Sequence, residues 1–238
     1  MFRHVPNLLT GARLLLAALF FVMLGYYQHD PDLPFGRHDP KWLNGAFVIY
    51  LIALITDFLD GYLARKWKVE GAFGRVVDPF VDKVLVLGSF IFFAGKNFTI
   101  PTLDPAAIPS NVVTITGVVP WMVVVILARE LLVTSLRGIS ESSGQQFGAM
   151  MSGKLKMVFQ SVTILIVLVY VNYLGWLKEH RMEAPATLVR DLCIWATVTI
   201  TIVSGLVYVQ RAIALYRGVK IVEKPPAANR LVSVPEHR

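Results

Sequence analysis

Six apolar runs divide the chain, and its polar residues gather between them. The runs cover residues 8–27, 43–63, 79–98, 113–136, 155–177 and 188–215. Each is long enough to cross about 30 Å of hydrocarbon as a helix. The pattern predicts an all-α, polytopic membrane protein with six transmembrane helices and no soluble partner domain. That membrane domain takes in residues 1–218. Its first stretch, 1–12, is expected as a short interfacial helix with Asn7, Thr10 and Arg13 on one face. Breakers separate the runs. Pro31, Pro34, Gly36 and Pro40 predict an irregular 28–41 loop, and Pro101, Pro105 and Pro109 another after the third run. A Ser-, Gln- and Gly-rich stretch, 140–152, reads as a cytoplasmic loop. Residues 219–238, with Pro225, Pro226, Pro235 and several charges, read as a disordered tail.

Composition agrees with a membrane protein: of 238 residues, 55% are hydrophobic and only 16% charged. The net charge of +7 would suit a nucleic-acid binder, but its distribution argues against one. With the amino terminus inside, only Arg37, Lys41, Lys96, Lys178, Arg181 and Arg190 of the 23 Lys and Arg fall outside. That asymmetry places both termini in the cytoplasm and no nucleic acid among the partners. The inner cations should also attract anionic membrane lipids. Arg3 and Arg13 before an apolar stretch resemble the start of a signal peptide. The lack of a clear cleavage site and the five later runs favour a retained helix. The single cysteine, Cys193, excludes an intramolecular disulfide and a Cys-based metal site. His4, His29, His38, His180 and His237 are scattered at spacings that make no metal site.

The sharpest chemical signal is acidic. Asp57, Asp60, Asp78 and Asp82 lie within 26 residues, at the facing ends of the second and third runs. Carboxylates at a membrane boundary are costly unless something offsets them. On helices, a spacing of three or four residues puts each pair on one face. Two such faces brought together make a cage of carboxylate oxygens, which suits a hard divalent ion, Mg2+ or Mn2+. By the predicted topology the cage lies at the cytoplasmic boundary. Water-soluble substrates reach that boundary from the cytosol, and a lipid reaches it sideways.

The full spacing is Asp57-x2-Asp60-Gly61-x2-Ala64-Arg65-x8-Gly74-x3-Asp78-x3-Asp82. It resembles the signature of the CDP-alcohol phosphatidyltransferase family, whose six-helix plan also resembles the whole hydropathy profile. The resemblance implies transfer of a phosphatidyl group from CDP-diacylglycerol to an alcohol, with release of CMP. It implies two metal ions: Asp57 and Asp78 bridge them, Asp60 holds one, and Asp82 holds the second and takes the acceptor's proton. It further implies that Asn7, Thr10, Gly61, Ala64, Arg65, Gly71 and Gly74 surround the CDP-lipid. Arg65 suits phosphate through its planar fork of donors. The family is often dimeric, so a homodimer is a further expectation.

The signature leaves the acceptor open among phosphatidylglycerol, serine, inositol phosphate and glycerol phosphate. Arg129, Arg137, Lys154 and Lys156 lie at the depth of the aspartates, and a phosphorylated acceptor needs such cations. The blocks ARELLVTSLRG from Ala128, GKLKMVFQ from Gly153 and PNLLTGAR from Pro6 resemble the bacterial branch that uses sn-glycerol 3-phosphate. That implies the four cations as the acceptor-phosphate site, phosphatidylglycerophosphate as product, and a bacterial inner membrane with the active site facing the cytoplasm. Gly138 follows Arg137 where that branch usually has a second Arg–Glu pair. Glu130 adjoins Arg129 but points about 100° away on a helix, so adjacency alone does not pair them. A cation transporter is the alternative class, but it requires polar groups through the bilayer, and these acids cluster at one surface. The absence of a His-x-Lys-x4-Asp pattern disfavours a covalent histidine route to similar lipids.

Overall fold

The computed structural model describes the backbone of residues 5–28, 41–67, 72–99, 114–142 and 151–216, and the side chains of 11–28, 41–59, 80–99, 114–140, 153 and 155–214. The described chain is helical throughout, apart from short connections and one isolated bridge between Thr99 and Thr114. Six long helices follow the six apolar runs: α1 (Val5–Tyr26), α2 (Lys41–Trp67), α3 (Ala72–Phe93), α4 (Pro120–Ser142), α5 (Met151–Asn172) and, after the one-and-a-half-turn α6 (Leu174–Glu179), α7 (Glu183–Tyr216). Among the described residues, three helical stretches are long and apolar enough to cross a membrane: Lys41–Leu59, Leu155–Asn172 and Glu183–Ala214. Gly11–Tyr26 is a shorter apolar helix. Leu15, Phe58, Val124, Leu188 and Leu192 stand exposed on the outside of the bundle, a surface suited to lipid.

Helix ends depart from hydropathy where hydropathy and backbone geometry differ. The fourth run opens on an apolar but non-helical segment. Thr114 pairs with Thr99, Gly117 turns the chain at φ 75, and α4 begins only at Pro120. Proline suits that first helical position because no intrahelical partner awaits its missing N–H. Conversely, α3 starts at Ala72, so Asp78 and Pro79 lie inside the helix rather than at its start. Hydropathy reports where side chains become apolar, and a helix can extend beyond that point into polar surroundings. Residues 5–12 continue into α1 without a break. The 28–41 loop, the proline-rich loop and the tail fall almost wholly outside the described residues.

The helices pack as two groups. In one, α1 lies against α2 and α3; in the other, α7 lies against α4 and α5. Contacts of α2 and α3 with α5, and of α3 with α4, join the groups. Glycine sets the closest approaches, as is common between membrane helices. A Cβ on Gly88 of α3 would overlap the Phe21 ring of α1, and one on Gly45 of α2 would come within 2.9 Å of Met23 Cε. Phe20, Leu24, Tyr50, Phe90, Phe93 and Phe98 fill the interior between α1, α2 and α3. Phe20 meets Tyr50 at 5.4 Å between ring centroids, and Phe93 meets Phe98 edge-on at 5.7 Å.

At the end of the bundle away from the aspartates, Arg190 is a buried tie rather than a loose surface charge. It donates from Nη1 to the Ile115 carbonyl at 2.8 Å, pairs with Asp191 at 2.7 Å, and lies 4.5 Å from the Tyr170 ring centre. The Gly117 turn makes room for it, since a Cβ there would sit 2.9 Å from Arg190 Nε. Asn97 adds hydrogen bonds to the Leu24 and Gly25 carbonyls, closing the end of α1 against the connection after α3. These ties fix the ends of the helices and thereby the register of the charged side chains at the opposite end.

Candidate active site

Two charged centres lie at that opposite end, one in each helix group. The first joins α1, α2 and α3. Arg13 is 3% exposed, and its Nη1 reaches Asp57 Oδ1 at 2.6 Å and Asp82 Oδ1 at 3.1 Å. Carboxylates 25 positions apart in sequence thus converge on one nitrogen. Asp60 and Asp78 stand on the same helices, three residues after Asp57 and four before Asp82; their side chains lie outside the described set. Beneath the acids a groove runs into the bundle between α1, α2, α3 and α5, with Tyr50, Ala53, Leu85, Met157 and Ser161 among its walls. Its floor is mostly apolar, and its polar groups lie near the carboxylates.

This centre tests the fit of a divalent cation. The donors are hard oxygens from two helices, and a positive group already sits where two of them meet. Carboxylate oxygens are the donor type that hard divalent ions prefer and thiolate- or imidazole-preferring metals do not, but among the described residues no group of three or more His, Cys, Asp or Glu comes together to hold an ion.

The second centre joins α4, α5 and α7 around Glu130, whose side chain is 10% exposed. Arg129 Nη1 donates to Glu130 Oε1 at 2.8 Å, and Lys156 Nζ donates to the same oxygen. The 100° offset between neighbours therefore does not keep Arg129 and Glu130 apart, because the long arginine side chain folds back to its neighbour. Arg129 Nη2 also donates to Ser204 Oγ, and Gly205 leaves room for its stem: a Cβ there would lie 3.1 Å from Arg129 Cγ. Tyr208, one turn on from Ser204, stands between two cations. Its ring centre is 5.5 Å from the Arg129 guanidinium and 5.6 Å from that of Arg137, and its hydroxyl accepts from Arg137 Nη2 at 3.0 Å. Two cations sharing one carboxylate, with a third nearby, leave the cluster positive. Gln160 lies a turn deeper than Lys156 on α5, buried, and its Nε2 has no partner among the described residues.

Of the residues named from sequence, Asp57 and Asp82 come together in the first centre, and Arg129, Arg137 and Lys156 in the second. Asn7 and Thr10 lie in α1; Gly61, Ala64 and Arg65 in α2; Gly74 in α3; and Lys154 in α5, all with side chains outside the described set. Gly71 lies outside the described residues altogether. Sequence reasoning missed Arg13 as partner of the acids, Glu130 as the hub of the cations, and Ser204 and Tyr208. A signal for the last two was present. Thr197, Thr201, Ser204 and Tyr208 form a polar stripe along one face of an otherwise apolar α7, and all four are buried.

A helical bundle with apolar outer faces and two charged centres at one end has the build of a membrane protein. The comparisons narrow that class. A family model described as CDP-alcohol phosphatidyltransferase matches residues 3–203, and the chain belongs to that family. The chain is 31% identical over 212 residues to the CDP-diacylglycerol–glycerol-3-phosphate 3-phosphatidyltransferase of Bacillus subtilis, covering 86% of this chain and 93% of that one. It is 26% identical over 211 residues to the Haemophilus influenzae protein of the same name, covering 88% and 93%. It is 30% identical over 219 residues to a probable phosphatidylglycerophosphate synthase of Mycobacterium tuberculosis, covering 91% and 85%.

Proposed function

We propose that the protein transfers a phosphatidyl group from CDP-diacylglycerol to sn-glycerol 3-phosphate, giving phosphatidylglycerophosphate and CMP. The observation that carries this reading is the convergence of Asp57 and Asp82 on one cationic position, beside a separate cluster of cations around Glu130. The names of the relatives point to the same donor and acceptor.

In this reading the acceptor's hydroxyl oxygen attacks the phosphorus that carries the diacylglycerol. The bond from that phosphorus to the CMP oxygen breaks, and CMP leaves with the bonding pair. Asp82 receives the hydroxyl proton. Asp57, Asp60, Asp78 and Asp82 hold two divalent ions, Mg2+ or Mn2+, which when bound offset the charge that builds on the diphosphate. Asn7, Thr10, Gly61, Ala64, Arg65, Gly71 and Gly74 surround the CDP-lipid, with Arg65 on its phosphates. Arg129, Arg137, Lys154 and Lys156 bind the acceptor's phosphate. Glu130 pairs with Arg129 and Lys156 and orients them, and Arg137 offers a guanidinium with no carboxylate partner among the described residues. All six long helices span a bacterial inner membrane, both termini face the cytoplasm, and two copies of the chain associate. Residues 1–218 form the membrane domain and 219–238 a cytoplasmic tail.

The test is direct. Purified protein is supplied with CDP-diacylglycerol, Mg2+ or Mn2+, and a panel of labelled acceptors: glycerol 3-phosphate, phosphatidylglycerol, serine and inositol phosphate. Labelled phosphatidylglycerophosphate with an equal yield of CMP is expected. No lipid product with any metal defeats the reading, and preference for another acceptor corrects it.

A further inference from the structure

We propose that Lys83 binds the acceptor's phosphate and thereby sets the acceptor's hydroxyl against Asp82. The inference rests on the transfer reaction proposed above. Lys83 follows Asp82 on α3, so the two side chains leave the helix about 100° apart. Asp82 turns toward Arg13 of α1. Lys83 turns toward α4, where its Nζ donates to Thr134 Oγ1 at 2.6 Å. A single turn of α3 therefore presents an acid to one charged centre and an ammonium to the other.

The state of that ammonium separates it from the two cations held by Glu130. Arg129 and Lys156 are committed to Glu130. Lys83 is half-buried and has one neutral partner, Thr134, whose own proton goes to the Glu130 carbonyl at 2.7 Å. Among the described residues no carboxylate neutralises Lys83. Through Thr134 it is linked to the turn of α4 that carries Glu130, where Lys156 also binds. An ammonium with donors to spare, close to further cations, gains most from an anion placed among them. A polyol phosphate carries a hydroxyl at one end and a dianion at the other. Bound across Asp82 and Lys83, it would have the reacting end at the acid and the charged end among the cations. An acceptor without a phosphate gains nothing from Lys83, so the residue also contributes to acceptor choice.

The full-length protein in detergent or nanodiscs is assayed as wild type, Lys83→Gln, Lys83→Arg and Thr134→Val. Lys83→Gln is expected to raise the KM for glycerol 3-phosphate about tenfold or more, and to leave the KM for CDP-diacylglycerol unchanged. Lys83→Arg should recover most of the loss. Thr134→Val breaks the same helix contact but keeps the ammonium, and should change the acceptor KM less than about twofold. Glycerol 3-phosphate should also raise the melting temperature of the wild type, and do so much less for Lys83→Gln, a readout independent of turnover. An unchanged acceptor KM in Lys83→Gln overturns the proposal. So does an equal rise in Thr134→Val, which would make the contact a structural link only. A wild type that turns over normally while Lys83→Gln behaves identically removes the Lys83 role alone. A wild type that makes no lipid product removes the reaction itself, and this inference with it.

Discussion

The two helix groups hold their buried charges in opposite ways. Among the described residues of α1–α3, the buried cation Arg13 is shared by two carboxylates. In α4, α5 and α7 one carboxylate, Glu130, is shared by two cations. The ratio of acid to base about the shared ion is inverted between the two. A buried charge without a partner is costly, and the shared ion in each group makes burial tolerable. On the proposed assignment, the comparison teaches that the catalytic and acceptor sites are complementary halves, and that α3, with Asp82 and Lys83 adjacent, joins them.

The sharpest way to break the comparison is to remove an acid from the first group. Asp57→Ala should lower turnover by at least about a hundredfold and abolish metal-dependent nucleotide binding, measured by product formation and nucleotide titration with and without EDTA. Asp82→Asn should lower turnover by about 10²–10⁴-fold while CDP-lipid binding persists. Loss of both in equal measure would remove Asp82 as the proton acceptor. In the second group the hub is the weak point. Glu130→Ala leaves two buried cations unpaired and should destabilise the protein by about 3–5 kcal/mol, read as a lowered melting temperature in detergent. An unchanged melting temperature would show that Arg129 and Lys156 do not depend on Glu130.

Smaller effects sharpen the assignment. Arg137→Ala should raise the acceptor KM about tenfold with little change for the CDP-lipid. Equal changes in both would move the acceptor site elsewhere. Tyr208→Phe keeps the ring between Arg129 and Arg137 and loses only the hydroxyl that accepts from Arg137. A change of about 1 kcal/mol or less is expected, a few-fold in acceptor KM. A much larger effect would make the hydroxyl a direct ligand of the substrate.

How much was legible follows from sequence distance. The aspartates stood out because helical periodicity converts spacings of three and four into a common face, and because one short turn brings the two helices together. Arg13 shared a face with Asn7 and Thr10 in the sequence, but no local rule ties it to acids on two later helices. Glu130 was visible as a neighbour of Arg129, and the flexibility of arginine made the 100° rule a poor guide to contact. Ser204 lies 75 positions from Arg129, and Tyr208 lies 71 from Arg137, so only the packing of α4 on α7 reveals those pairs. The start of α4 was misjudged because valine and threonine are as apolar in an extended turn as in a helix.

The amino-acid order by itself determined the helical plan, the membrane-like composition, and the pairing of acids within each of two helices, since all three follow from properties repeated at short range. Tertiary packing decided which charge faces which. It brought Arg13 between acids on two other helices, gathered Arg129 of α4 and Lys156 of α5 on Glu130 with Ser204 of α7 on Arg129, and set Lys83 against α4. Buried ions must find partners wherever the bundle brings them, and nothing in local spacing encodes that choice.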